Sequence, residues 1–289
     1  MSIRQLDDTI RSLTATASIV RTTELSTLAM LPGLRRSAEA ATSYYDTVLA
    51  SIEHIRGTDE LRYRMAHHGS GTAVIVVTSD RGMCGPYNHG VFTLLEQYLG
   101  TLGSDARHGV QFISIGSKGR EYLERRGERP AWSVDRGLEG ITIGDTAIIA
   151  ARIAAGLRAK DYSSIVAVST RYLDAAHSKA QVLPLFPELP RTSRAASSAS
   201  AAVIDFEDDP QIVVDRLIDS YLCGMVYAVI RYAVASEYSA RQMAMHQAKN
   251  GIEEQLADAK RKRKKSITQR RTAELLDIVN GFNAQRRTR

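Results

Sequence analysis

The segment "LDDTIRSLTATASIVRTTELSTLAML", Leu6 to Leu31, decides the fold. Alternating steps of four and three from its first residue meet Leu6, Ile10, Leu13, Ala17, Val20, Glu24, Thr27, Leu31, Leu34, Ala38, Ala41, Tyr45, Val48, Ile52 and Ile55. All but Glu24 and Thr27 are apolar. A repeat of about 3.5 residues, kept for about seven heptads, specifies a left-handed coiled coil rather than an ordinary surface helix. At about 1.5 Å per residue, a helix over residues 1–58 would run about 80 Å. That exceeds a single domain of this size, so a second long helix must lie beside it. Pro32-Gly33 interrupts the pattern. Proline inside a helix removes a backbone bond and costs about 3 kcal/mol. A kink or short break is expected near Leu31 to Leu34, the alternative being two shorter helices joined by a turn.

The partner helix is expected at the other end of the chain, residues 207–289. Asp208 or Asp209 is placed to cap it, with Pro210 in the first turn. Apolar residues are dense from Ile212 to Val234, then thin to Met243, Met245, Ile252 and Leu256. A basic block follows, "KRKRKKSITQRR", Lys260 to Arg271. After it come Leu275, Leu276, Ile278, Val279 and Phe282. Such a helix has buried surroundings at one end and water or an external partner at the other.

The middle of the chain, residues 70–190, is of another kind. Thr72 to Ser79, Val110 to Gly116 and Ser163 to Thr170 read as buried strands. Gly90 to Leu99, Lys118 to Arg126 and Asp145 to Ala159 read as helices between them, and this alternation predicts a mostly parallel sheet with covering helices. "QVLPLFP", Gln181 to Pro187, adds an edge strand limited by proline. Residues 191–206 are a Ser/Ala-rich linker. The fold class is therefore α/β with long terminal helices: an antiparallel coiled coil of the N- and C-terminal helices plus an inserted Rossmann-like α/β domain.

Composition narrows the function. The 289 residues are 44% hydrophobic but only 6% aromatic, which suits long helices packed through small side chains. The opening "MSIRQLDDTI" has charges where a signal peptide needs apolar residues. No apolar run reaches the roughly 20 residues of a membrane span. Cys84 and Cys223 suggest a reducing compartment rather than a disulfide framework. The histidines form no metal-ligand pattern. The net charge of +6 is concentrated in the basic block, which suits an acidic partner, nucleic acid included.

"TSDRGMCGPYNHGVF", Thr78 to Phe92, joins a strand to a helix through a glycine-rich turn. It lacks the spacing of a P-loop and of a dinucleotide fingerprint. Gly82 and Gly85 are expected to permit a tight turn, with Asp80 capping it or pairing with Arg81. "GSKG", Gly116 to Gly119, could hold a phosphate at a helix start, but a turn closed by backbone bonds is the simpler reading. Cys84 is expected to be a packed thiol. Arg241 has Glu237 one helical turn earlier as an ion-pair partner.

At "VVTSDRGMCGPYN", Val76 to Asn88, the chain resembles the gamma subunit of rotary ATP synthases. "IGSKGREYLERRG", Ile115 to Gly127, "IVRTTELSTLAML", Ile19 to Leu31, "SEYSARQMAM", Ser236 to Met245, and "TAELLDIVNG", Thr272 to Gly281, are similar to further segments of that family, in its order. The resemblance implies the central shaft of a rotary machine, part of an enzyme but without a catalytic group or cofactor of its own. It implies three alpha and three beta subunits around the shaft, and an epsilon subunit and a membrane ring of c subunits at the foot. It implies a peripheral place on the cytoplasmic face of the membrane, without insertion. Partner contacts are expected from Arg21, Glu24, Arg241, Lys260, Arg261, Lys262, Arg263, Lys264, Lys265, Arg271 and Glu274. Arg241 is also a candidate for an internal ion pair. The chain departs from the family near Ile267, Thr268 and Arg271, and at Met30 to Gly33, which suggests a divergent or alternate form of the synthase, or one specialised for pumping. The competing reading is a coiled-coil nucleic-acid-binding protein that uses Lys260 to Arg271 on phosphates, with salt-sensitive binding. A small-molecule enzyme built on the Rossmann-like domain would need acid-base groups around the glycine turn.

Overall fold

The computed structural model describes residues 2–55, 71–134, 136–173, 177–187 and 209–287. The expected linker at 191–206 lies outside them. The elements are α1 (Ile3–Ile55), β1 (Thr72–Val77), α2 (Tyr87–Thr101), α3 (Ser104–His108), β2 (Val110–Ile115), α4 (Ser117–Arg125), β3 (Trp132–Val134), α5 (Ile143–Ala159), β4 (Ser164–Tyr172), β5 (Ser178–Phe186) and α6 (Pro210–Arg287). A single 3-10 turn, Leu138–Gly140, precedes α5. Asp209 is the residue that caps α6: its carboxylate accepts from the Gln211 N–H at 2.9 Å.

The chain divides into a sheet unit, Ala29–Arg241, and a helical unit, Met1–Leu28 with Gln242–Arg289. The division cuts through both long helices rather than following their ends, because α1 and α6 each pack part of their length on the sheet.

In the sheet unit the strand order is β3-β2-β1-β4-β5. β1 pairs in parallel with β2 and β4, and β5 runs antiparallel along β4. The β1 residues after Thr72 are buried on both faces, as a strand covered by helices on each side must be. On one face Val91, Leu95 and Leu99 of α2, with Leu123 of α4, cover Val74, Val76, Phe112 and Val168. Each such side chain contributes about 1.5–3 kcal/mol by leaving water. On the other face Ala73, Ile75, Val77, Ile113 and Ile115 meet Ile149 and Ile153 of α5, Leu31, Leu49 and Ile52 of α1, and the apolar run of α6 from Val214 to Tyr238. Thr142 caps α5 through a reciprocal box with Asp145.

α1 does not break at Pro32-Gly33: one helix runs through both. The neighbours explain why. Leu31 is buried and Leu34 half-buried, while Pro32 and Gly33 face water. The carbonyl that proline leaves without its amide donor therefore lies on the solvent side, where water can satisfy it. Every stripe position with a described side chain is buried or half-buried, Glu24 and Thr27 included.

Candidate functional site

Two arrangements carry the functional reading, one in each unit. The first lies at the carboxyl ends of the parallel strands. After β1 the chain passes to β2 and β3 on one side, then returns to β4 on the other. This reversal is the place where open α/β sheets bind their ligands. Here α6 packs against it. Tyr87 Oη donates to the carbonyl of Ala233 at 3.2 Å. Ser236 Oγ reaches the carbonyl of Thr170 at 3.5 Å. The Arg231 guanidinium donates to the carbonyls of Leu138 and Ile141. Arg241 donates to the carbonyl of Gly82 at 3.3 Å and to Glu237 Oε1 at 2.5 Å.

The glycine turn is built around this contact. Its left-handed positions are Met83, at φ 61°, and Gly85, at φ 56°. Gly82 is not one of them; a Cβ there would meet nothing within 4 Å, and its carbonyl accepts from Arg241. Asp80 neither caps this turn nor pairs with Arg81. Its carboxylate accepts from the backbone N–H of Ser117 at 3.0 Å and of Leu138 at 3.0 Å. A carboxylate suits the positive end of α4, where the first amides lack helical partners. The start of α4 thus holds an anion that belongs to the chain itself. Gly119 N–H donates to Thr78 Oγ1 at 2.7 Å and closes the same turn. Cys84 is the packed thiol expected, with Asn88 Nδ2 3.5 Å from its sulfur.

A cavity of about 280 Å³ remains beside the turn, lined by Asp80, Arg81, Glu139, Glu237, Tyr238 and Arg241 among others. Burial pushes the Glu237 carboxyl above the usual carboxylate range, against the pull of Arg241; Glu139 and Asp80 push it further. Burial and the neighbouring Glu139 move the Tyr238 phenol up to about 12.

The second arrangement is the helical unit. Asp7 of α1 pairs with Arg263 of α6 at 2.5 Å, and Glu24 faces His246 at 3.1 Å and Lys249 at 3.5 Å. From Asp7 to Glu24 is 17 residues forward, and from Arg263 to His246 is 17 back, so the helices run antiparallel in register. Within the sheet unit the hydroxyls of Thr42 and Tyr232 meet at 2.5 Å. The His246 hydrogen bond first, then Lys249, holds the Glu24 carboxyl below the usual range. A polar group on a coiled-coil stripe fixes register at a cost in stability.

The expected contact residues separate by exposure. Arg21, Lys260, Arg261, Lys262, Arg263, Lys264, Lys265, Arg271 and Glu274 are all exposed. Arg261 and Lys262 share Asp258, and Glu274 pairs with Arg270. Glu24 and Arg241 are instead buried, and each has an ionic partner inside the chain. For Arg241 the ion-pair alternative is the one observed. Beyond the basic block, Leu275, Leu276, Ile278 and Val279 are each more than half exposed. Tyr87, Arg231 and Ser236 were missed, because no local pattern marks a side chain whose partner is a distant carbonyl. Among the described residues no helix is long and apolar enough to cross a membrane, and no acidic, histidine and cysteine cluster could hold a metal.

The family model described as ATP synthase matches residues 2–285. The ATP synthase gamma chain of Burkholderia lata is 28% identical over 294 residues, covering 98% of this chain and 99% of its own length. That of Gluconobacter oxydans is 27% identical over 296 residues, with the same coverage of each. Among solved structures, a chain of the Euglena gracilis mitochondrial ATP synthase in rotational state 3 superposes with a TM-score of 0.69 at 18% identity, covering 98% of this chain and 94% of that one. One from the central stalk and c-ring of the Tetrahymena thermophila mitochondrial enzyme gives 0.53 at 19%, covering 77% and 98%. These likenesses give the nucleic-acid reading of Lys260 to Arg271 no support.

Proposed function

Because the chain belongs to the ATP synthase gamma family, we propose that it is the central shaft of a rotary ATP synthase. It carries torque between an ion-driven ring of c subunits in the membrane and a hexamer of three alpha and three beta subunits. The single observation that supports this most is the in-register antiparallel pairing of α1 and α6 in the helical unit. Two helices wound together resist twisting and bending better than one. Their surface is also asymmetric, and only differential contact with each beta subunit can bias the populations of its conformations.

The residues divide between two tasks. Arg21, Lys260 to Lys265, Arg271 and Glu274 are exposed and serve as contacts to the surrounding subunits, where cations meet acidic surfaces. Leu275, Leu276, Ile278 and Val279 form an exposed apolar cluster, which needs an apolar bearing. Glu24 and Arg241 act inside the chain. The sheet unit is the foot, which holds the epsilon subunit and rests on the c-ring. The chain works peripherally, on the cytoplasmic face of the membrane; both its cysteines are free thiols, as suits a reducing compartment. It supplies no catalytic group. Co-expression with candidate alpha and beta subunits tests the reading. One copy should purify with three of each and change their ATPase rate; a chain that joins no such complex would overturn it.

A further inference from the structure

The apolar face of α6 cannot by itself hold the helix against rotation. Burial of apolar surface is non-directional, and a helix lying on such a face can turn a few degrees about its axis at little cost. A rotor element must not do so. What stops it has to be a set of directional contacts away from the helix axis.

In the sheet unit a group of these contacts lies near the strand ends. Among the described residues, Arg231, Ser236 and Arg241 of α6 donate to the carbonyls of Leu138 and Ile141, of Thr170 and of Gly82, and Tyr87 of α2 donates to the α6 carbonyl of Ala233. Arg241 combines three features. Its guanidinium is 9% exposed and is paired with a carboxylate, Glu237, that is 4% exposed. It lies over the Tyr238 ring, 5.4 Å from the centroid, which restricts its remaining freedom. It is also the last residue of the sheet unit. Any twist carried along the α6 backbone into residues 242–287 passes its peptide.

We propose that the Arg241–Glu237 pair is a torsional key, a positioning device that locks α6 to the β1–α2 turn so that torque passes between helix and sheet without slip. Glu237 fixes the orientation of the guanidinium, and the guanidinium bears on the carbonyl of Gly82. One guanidinium nitrogen, Nη2, donates to the carboxylate and to the carbonyl together, and the rigid planar head loses less freedom in doing so than a flexible ammonium would. The glycine-rich turn, in this reading, is the socket of the key. Its shape is set by Asp80 from below, through Ser117 and Leu138. The proposal rests on the shaft reading above.

The test uses the assembled enzyme in sealed vesicles, with ATP hydrolysis and ATP-driven ion uptake measured on the same sample. The main variant is the double change E237M/R241M. Replacing a buried ion pair by apolar groups of similar volume is often neutral for stability, so the fold is kept while the key is removed. ATP hydrolysis should persist, and the ion gradient reached at steady state should fall severalfold. The torsional stiffness between foot and hexamer, read from the angular fluctuation of a bead on the foot, should fall with it. R241K, which keeps a charge facing Glu237 but on a more flexible stem, should be intermediate. E237Q, which keeps an acceptor, should lie closer to the unaltered chain. Unchanged gradient and stiffness in assembled E237M/R241M would overturn the proposal. So would failure of the double variant and E237Q alike to assemble beside a normal unaltered chain, because the pair would then serve folding alone. If the unaltered chain itself joins no alpha and beta subunits, the shaft reading fails instead.

Discussion

Replacing Gly116 by alanine should destabilise the sheet unit by about 4 kcal/mol. Gly116 follows β2 at φ 102°, where an added Cβ would lie 2.1 Å from the carbonyl oxygen of Thr78 and 2.8 Å from its carbon. Neither backbone can step aside. The Gly116 N–H is held by Val134 O, its carbonyl accepts from Ser114 Oγ, and the next residue donates to Asp80. Residual backbone strain costs about 1–3 kcal/mol, and forced overpacking about 1–3 kcal/mol more. Trp132, the only tryptophan, pairs with Ile113 on the neighbouring strand and reports on this region by fluorescence. With a urea slope of about 2–3 kcal/mol/M, the midpoint should fall by roughly 1–2 M. Gly82→Ala is the internal control. It has open space around its Cβ and no left-handed φ, so its midpoint should stay within about 0.3 M of the parent, since such substitutions usually change stability little. A Gly116→Ala midpoint as close as that would refute the argument that Thr78 and Gly116 must touch.

Other outcomes follow from the long helices and the two buried glutamates. Pro32→Ala should raise stability by about 1–3 kcal/mol, because the helix is already continuous and gains the missing bond; an unchanged melting temperature would mean the turn opens there in solution. The Glu24 carboxyl is held low by His246 and Lys249. Its contribution is present above the ordinary carboxylate pKa and is lost as pH falls through the lowered value. Glu24→Gln should therefore flatten the acid side of the melting curve against pH. Glu237 has the opposite sign, since burial raises it. Its contribution is complete below the ordinary carboxylate pKa and is lost as pH rises through the raised value, so Glu237→Gln should flatten that descending side. Circular dichroism melts across the pH range check both signs. Replacing Lys260 to Lys265 by glutamine should weaken ATP-driven ion pumping in vesicles; undiminished pumping would take the block out of the mechanism.

What could be read in advance was what local spacing encodes. The stripe from Leu6 to Ile52 was legible because coiled-coil burial repeats at a fixed interval, and β1, β2 and β4 because strands buried on both faces are continuous apolar runs. β3 was not foreseen: at three residues, Trp132–Val134, it is too short to carry a pattern. β5 begins at Ser178, ahead of the expected Gln181, and keeps Pro184 within it, as an edge strand permits. The break at Pro32 was a propensity argument overruled by Leu31 and Leu34 packing on either side of it. The site itself was only half visible. Asp80 and Gly82 stood out as a motif, yet their tasks depend on Ser117, Leu138 and Arg241, and in the last case 159 residues separate the partners.

The carboxylate of Asp80 has one more consequence. A machine that works amid abundant nucleotides must keep phosphates from lodging in its moving parts. Here the place a free phosphate would seek, the amides opening α4, is held by an occupant joined to the same polypeptide. A tethered group acts at an effective concentration set by the chain rather than by the surrounding solution, so a dissolved competitor meets a seat that is already taken. The sheet unit therefore leaves those amides closed to phosphates in solution.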